Sequence, residues 1–173
     1  MRLALCCTAL LGLLVSPALA SVIQVCVLPA SQTVDIALGT TTVDIVADIP
    51  ASAPLIGWGL DLNLVGTSVA MGGVTIGPLF DAAYAPDGDN LAALTKLPPG
   101  EVWGTGILLA TVTLNLVDYG VTALTPGADD PVFEGLMTLY GFVPFDVCTA
   151  YVNVVPEPAA LALAALGLLL RRR

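Results

Sequence analysis

The sequence contains no histidine. That removes the usual general base near neutral pH, histidine-activated nucleophiles and histidine metal sites. Ser21, Ser31, Ser52 and Ser68 have no imidazole to activate them, and nothing around Lys96 supports a serine–lysine pair. A glycosidase needs two facing carboxyls. Glu101, Glu134 and the aspartates are available, but no spacing pairs them. The reading is of a chain with no catalytic residue and no cofactor.

Two stretches are candidates for binding. Pro86-Asp87-Gly88-Asp89-Asn90 groups the side-chain oxygens of Asp87, Asp89 and Asn90, the donor type that calcium takes. The spacing departs from the EF-hand loop: Leu91 stands at the fifth position from Asp87, and Gly88 comes too early. A polar turn is the alternative, and no metal ligand is assigned. Asp129-Asp130, between Pro126 and Pro131, reads as a solvated turn. Trp103 lies in the glycine-rich run Gly100–Gly106. If exposed, its flat face suits the C–H surface of a sugar ring; buried aromatic packing is the commoner use.

The elements that must position these residues are short and extended. Asp outnumbers Glu eleven to three, and seventeen glycines and thirteen prolines accompany them. Asp bonds to nearby backbone in turns and is poor inside helices, so the composition favours a turn-rich β protein. Period-2 alternation supports this. Trp58, Leu60, Leu62 and Leu64 fall on one face, with Gly59, Asp61 and Asn63 on the other. Likewise Leu108, Ala110, Val112, Leu114 and Leu116 alternate with Leu109, Thr111, Thr113 and Asn115. Further strands are expected over Val22–Leu28, Thr33–Leu38, Thr41–Ile49, Val69–Ile76, Val121–Leu124, Leu136–Phe142 and Val147–Val154. Ala82–Leu97 has no clear period and could hold a helical turn. About eight or nine strands without an amphipathic helix predict an all-β domain, a single β-sandwich or jelly roll.

Charge narrows the partners. Within residues 21–155 the single base is Lys96, while every acidic residue except Glu157 lies there, giving a formal charge of −12 (one positive against thirteen negative). Such a surface repels phosphate backbones, so nucleic acid is excluded as a partner.

The two ends read as addresses. Met1-Arg2, the apolar run Leu3–Val15 and Ala18-Leu19-Ala20 form a signal peptide over 1–20, with cleavage between Ala20 and Ser21 by signal peptidase. Cys6 and Cys7 fall too early for a lipoprotein signal. At the other end, Pro156-Glu157-Pro158 precedes Ala159–Leu170 and then Arg171-Arg172-Arg173. A helix over that apolar run would be roughly 18 Å long, short of a ~30 Å hydrocarbon core, with its arginines held on the cytoplasmic side.

This order of parts resembles the PEP-CTERM sorting signal of Gram-negative bacteria. The resemblance covers 155–173. It implies that Pro156, Glu157 and Pro158 are recognised by an exosortase, that the apolar segment crosses the inner membrane transiently, and that the protein ends at the outer surface or in an exopolysaccharide matrix. The domain over 21–154 resembles a cohesin. The residues that carry this are Val27–Val34, Thr42–Ala47, Leu60–Leu64, and Leu108–Leu114 followed by Gly120-Val121-Thr122. That β-sandwich is similar to several carbohydrate-binding modules. It implies a non-enzymatic module for an extracellular polysaccharide or another matrix protein.

After signal removal Cys26 and Cys148 are the two cysteines left, in an oxidising compartment. Cys26 is expected in the first strand and Cys148 in the last, which are often neighbours in sandwiches. A disulfide is the expectation, and two buried thiols the alternative. Protein recovered from the native host is expected to begin at Ser21 and to lack Arg171–Arg173. Intact-mass analysis checks both ends, and material that keeps Met1–Ala20 and the three arginines would overturn the reading.

Overall fold

The computed structural model describes residues 22–85, 88–96, 100–130, 132 and 134–157. Ala18, Ala20 and Ser21 of the signal, Pro158, Arg171, Arg172 and Arg173 of the tail, and Asp87 lie outside them. Among the described residues the fold is all-β, and the one helical element is a 3-10 turn at Ile36–Leu38.

Alternating burial builds two facing sheets. The first orders β13 (Phe145–Cys148), β1 (Ile23–Leu28), β3 (Thr40–Ile49), β9 (Gly104–Leu116) and β6 (Val69–Ile76). Its inward side chains include Ile23, Val25 and Val27 of β1, and Val43, Ile45 and Ala47 of β3. The second orders β2 (Ser31–Asp35), β14 (Ala150–Val155), β10 (Gly120–Gly127) and β5 (Asp61–Val65). It turns Ala150, Val152, Val154 and Leu124 into the same core. Every second residue faces inward because successive strand side chains point to opposite faces.

Both sheets contain a parallel pair made by the chain's beginning and end. β1 runs parallel to β13, with Cys26 opposite Cys148, and β2 runs parallel to β14. The two cysteines are disulfide-bonded, with Cα atoms 4.5 Å apart. Cys148 sits one strand short of the last, because the chain breaks at Thr149 to change sheets.

A buried hydroxyl pair fixes the β5–β6 turn to β10. Ser68 and Thr122 are both buried, with their Oγ atoms 2.7 Å apart, and the Ser68 amide donates to Thr122 Oγ1 at 3.2 Å. Their bonds satisfy each other, so burial costs little.

The structure corrects the sequence reading in several places. Fourteen strands are present among the described residues, because several expected strands are split and two were missed. The expected strand Thr33–Leu38 stops at Asp35, whose carboxylate accepts the Ala37 amide at 2.9 Å and turns the chain. The run Trp58–Leu64 breaks at Leu60, so Trp58 and Leu62 bury from different sheets. In β9, Ala110 pairs with Ile45 and Leu108 with Val46, which leaves Leu109 as an inserted residue. Leu109 and Ala110 are therefore both buried, and Leu108 turns half outward. The Leu109 carbonyl accepts the amide of Gly77 at 2.7 Å. Any side chain at Gly77 would collide with the Leu108 carbonyl oxygen, which explains the glycine. Within Ala82–Leu97 the described residues supply the last residue of one strand, Ala82, and the whole of another, Ala92–Thr95, while Pro86, Asp87 and Leu97 lie outside the described residues.

Those strands belong to a third sheet, ordered β12 (Gly141–Val143), β11 (Gly135–Thr138), β4 (Gly57–Gly59), β8 (Ala92–Thr95) and β7 (Phe80–Ala82). Its inner face adds Leu136, Trp58, Ala93 and Phe80 to the core. Trp58 meets Phe80 edge-on, with ring centroids 6.0 Å apart.

The disulfide closes a sequence separation of 122 residues. Replacing both Cys26 and Cys148 by alanine is expected to cost about 2–5 kcal/mol. Denaturant unfolding of the two proteins measures it. An unchanged midpoint would show that strand pairing alone closes the domain.

Candidate functional site

Of the side chains singled out by sequence, Cys26 and Cys148 are brought together as a disulfide, and Asp89 and Asn90 share one turn. Asp89 accepts the Leu91 amide at 2.7 Å, and the Asn90 side-chain amide donates to the Gly88 carbonyl. Asn90 holds φ 65°, a conformation that asparagine tolerates in turns. The geometry of these residues is that of a polar turn. Among the described residues no group of three or more carboxylates or thiols is placed to hold a metal ion. Trp103 is 55% exposed, so it is not a core residue. It follows Val102, which bridges to Leu55, and the next residue, Ile56, donates its amide to Met137. These links bring the Trp103 segment to the same end as the β11–β12 hairpin tip, where Tyr140 is 97% exposed.

The surface that stands out is the outer face of the third sheet. Strand register sets one row across all five strands: Phe142, Met137, Gly57, Leu94 and Asp81. Directly opposed residues share a face, so this row points away from the core. At Gly57 an added Cβ would lie 2.8 Å from Leu94 Cδ2 and 3.0 Å from Met137 Cε, so those two side chains close over the glycine. The next outward row is Gly135, Gly59 and Ala92, which carries almost no side chain. The result is a shallow trough with a floor of small residues. Phe142, half exposed, leans over Gly135 at one end, and the exposed Tyr84 stands at the other.

Beside Phe142 the three sheets meet in an open groove of about 500 Å³. Its apolar wall is Phe142, Val143, Pro144, Phe145 and Val147, and Gly127 at the end of β10 lies across from it. Glu134 also lines it and is only 9% exposed. Glu134 Oε2 accepts the Asp130 amide at 2.8 Å, and the Glu134 amide donates to the Asp130 carbonyl at the same distance. Sequence reasoning considered Glu134 only as a glycosidase carboxyl and missed the groove, because its parts come from three sheets and no motif joins them.

Charge among the described residues is one-sided, with Lys96 the single base there. Lys96 Nζ reaches Asp81 at 3.9 Å, both exposed, and also donates to the Pro78 carbonyl at 2.8 Å.

No protein-family model matches the chain, and no curated protein matches it in sequence. Solved structures match in fold. A non-cellulosomal cohesin from the hyperthermophilic archaeon Archaeoglobus fulgidus superposes with TM-score 0.53 at 14% identity, over 82% of this chain and 97% of that one. The seventh ScaB type I cohesin of Pseudobacteroides cellulosolvens gives TM-score 0.52 at 13% identity, over 79% and 94%. CaCohA2 from Clostridium acetobutylicum gives 0.50 at 13%, over 78% and 91%. The chain therefore has a cohesin-like β-sandwich fold, as the sequence resemblance implied.

Asp89 and Asn90 each bond within their own turn, and Asp87 lies outside the described residues. Thermal melts in calcium and in chelator are expected to coincide. A large rise in melting temperature with calcium would show that distant loops combine into a site.

Proposed function

We propose that this chain is an exported, non-catalytic binding module that holds another protein at the cell surface. The observation that supports it best is the cohesin-like fold, matched over nearly the full length of the cohesins above. The third sheet's outer trough supplies an exposed apolar face of the kind that marks interaction surfaces. A sequence without histidine, and with a single base between residues 21 and 155, agrees with a non-catalytic role.

Export rests on the sequence of the ends. In this reading signal peptidase cuts after Ala20, and an exosortase recognises Pro156-Glu157-Pro158 during transient anchoring in the inner membrane of a Gram-negative bacterium. The described domain then faces outward, with Pro156 half-buried and Glu157 exposed directly after β14, where an enzyme can reach them.

A second reading is carbohydrate binding in an exopolysaccharide matrix. The exposed Trp103 favours it, because an exposed indole is suited to stack on a sugar ring.

The two readings separate experimentally. Mature protein used as bait in the host's secreted fraction is expected to retain a protein partner, and Leu94→Asp in the trough is expected to weaken retention by tenfold or more, on the order of 1.4 kcal/mol. A glycan array is expected to stay blank. Array binding lost with Trp103→Ala, together with no retained protein, would replace the protein-binding reading by the carbohydrate one.

A further inference from the structure

The groove where the three sheets meet has the chemistry of a receptor for a long cationic side chain. Its wall is apolar and its polar end is a carboxylate, Glu134, that is nine-tenths buried. One Glu134 oxygen is used by the Asp130 amide; the other has no hydrogen bond among the described residues. Among the described residues no cation neutralises this carboxylate: Lys96 is the single base there and is paired with Asp81 of the third sheet's far edge strand. A buried carboxylate gains most from a partner that brings both charge and hydrogen-bond donors.

The surroundings carry the same sign. The loop after β10 places Asp129 and Asp130 beside Gly127 and Glu134, and the Asp129 amide is held by Asp61 at 2.8 Å. β12 and β13 flank the groove, joined through Pro144, and each is the outermost strand of its sheet. An extended chain can lie along such an edge through its own backbone groups. Phe142 belongs to both the groove and the trough, so the two surfaces are continuous.

We propose that this groove seats a lysine or arginine side chain from an extended basic segment of the partner protein, with the cation on Glu134 and the methylene stem along Phe142 and Val147. Long basic side chains bury their stems on apolar surface while the charged head stays solvated or paired, which matches an apolar wall ending in a carboxylate. The inference rests on the protein-binding reading above and names the chemistry of the partner.

The test uses mature protein and a synthetic peptide alternating lysine and threonine, with a glutamate–threonine peptide as control, measured by calorimetry. The lysine peptide is expected to bind saturably and the glutamate peptide not at all. Glu134→Gln keeps an oxygen for the Asp130 amide and is expected to weaken binding by about tenfold or more. Asp118→Asn removes the same charge at the β9–β10 turn, at the other end of β10 from Gly127, and is expected to leave binding unchanged. Equal losses in both variants, or none in Glu134→Gln, would overturn the site. Phe142→Ala removes an exposed ring, guards against a folding defect at Glu134, and is expected to weaken binding severalfold; unchanged binding would overturn the stem contact. The bait experiment distinguishes the levels. Partner retention lost in Glu134→Gln supports the site. Retention equal in native protein and Glu134→Gln leaves the protein-binding reading standing and overturns the groove. Retention by neither overturns that reading, and this inference with it.

Discussion

The architecture depends on the pairing of the chain's first strands with its last. β1 lies parallel to β13 in one sheet and β2 parallel to β14 in the other, so each sheet is completed by residues from both ends of the domain. Parallel neighbours cannot be joined by a hairpin. The whole of the intervening chain is the crossover, and closing it is an entropic cost. The Cys26–Cys148 bond spans that same separation and reduces the freedom of the unfolded chain. The hydrophobic core follows from this closure. Ile23, Val25 and Val27 meet Ala150, Val152 and Val154 within one buried cluster because the terminal strands are placed together.

The domain handles its negative charge through backbone rather than through ion pairs. Asp35, Asp48, Asp89, Asp118 and Asp130 each accept an amide from a turn or a neighbouring strand. Asp44 takes the Thr111 hydroxyl at 2.6 Å across β3 and β9. A carboxylate that accepts a backbone N–H makes a charge-assisted bond, stronger than a neutral one. This explains how a chain with one base between residues 21 and 155 keeps its turns fixed, and why Asp so outnumbers Glu: the shorter side chain reaches its own local backbone.

The alternation in β1, β3 and β10 was legible in sequence because each strand has one buried and one more exposed face. The third sheet was not. Phe80–Ala82 and Ala92–Thr95 are too short to show a period, and Ala92 and Ala93 are both buried. The phase error at Leu108 has a different cause, since the inserted Leu109 shifts every residue before it and nothing in a run of apolar residues marks the bulge. Trp103 illustrates the limit for sites. Its glycine-rich setting allowed either exposure or burial, and the Leu55–Val102 bridge that decides between them joins residues far apart in sequence.

The parallel end strands also set how the domain responds to tension. β13 and β14 run the same way as β1 and β2, so the chain enters beside Phe145 and leaves after Val155 at the opposite end. A load applied between the two ends therefore acts along the ladders, and their hydrogen bonds share it in shear instead of opening one after another. Only the few residues before Cys26 and the stretch from Thr149 onward can be drawn out before the disulfide carries the force. A domain wired in this way is a stiff link between whatever holds its two ends.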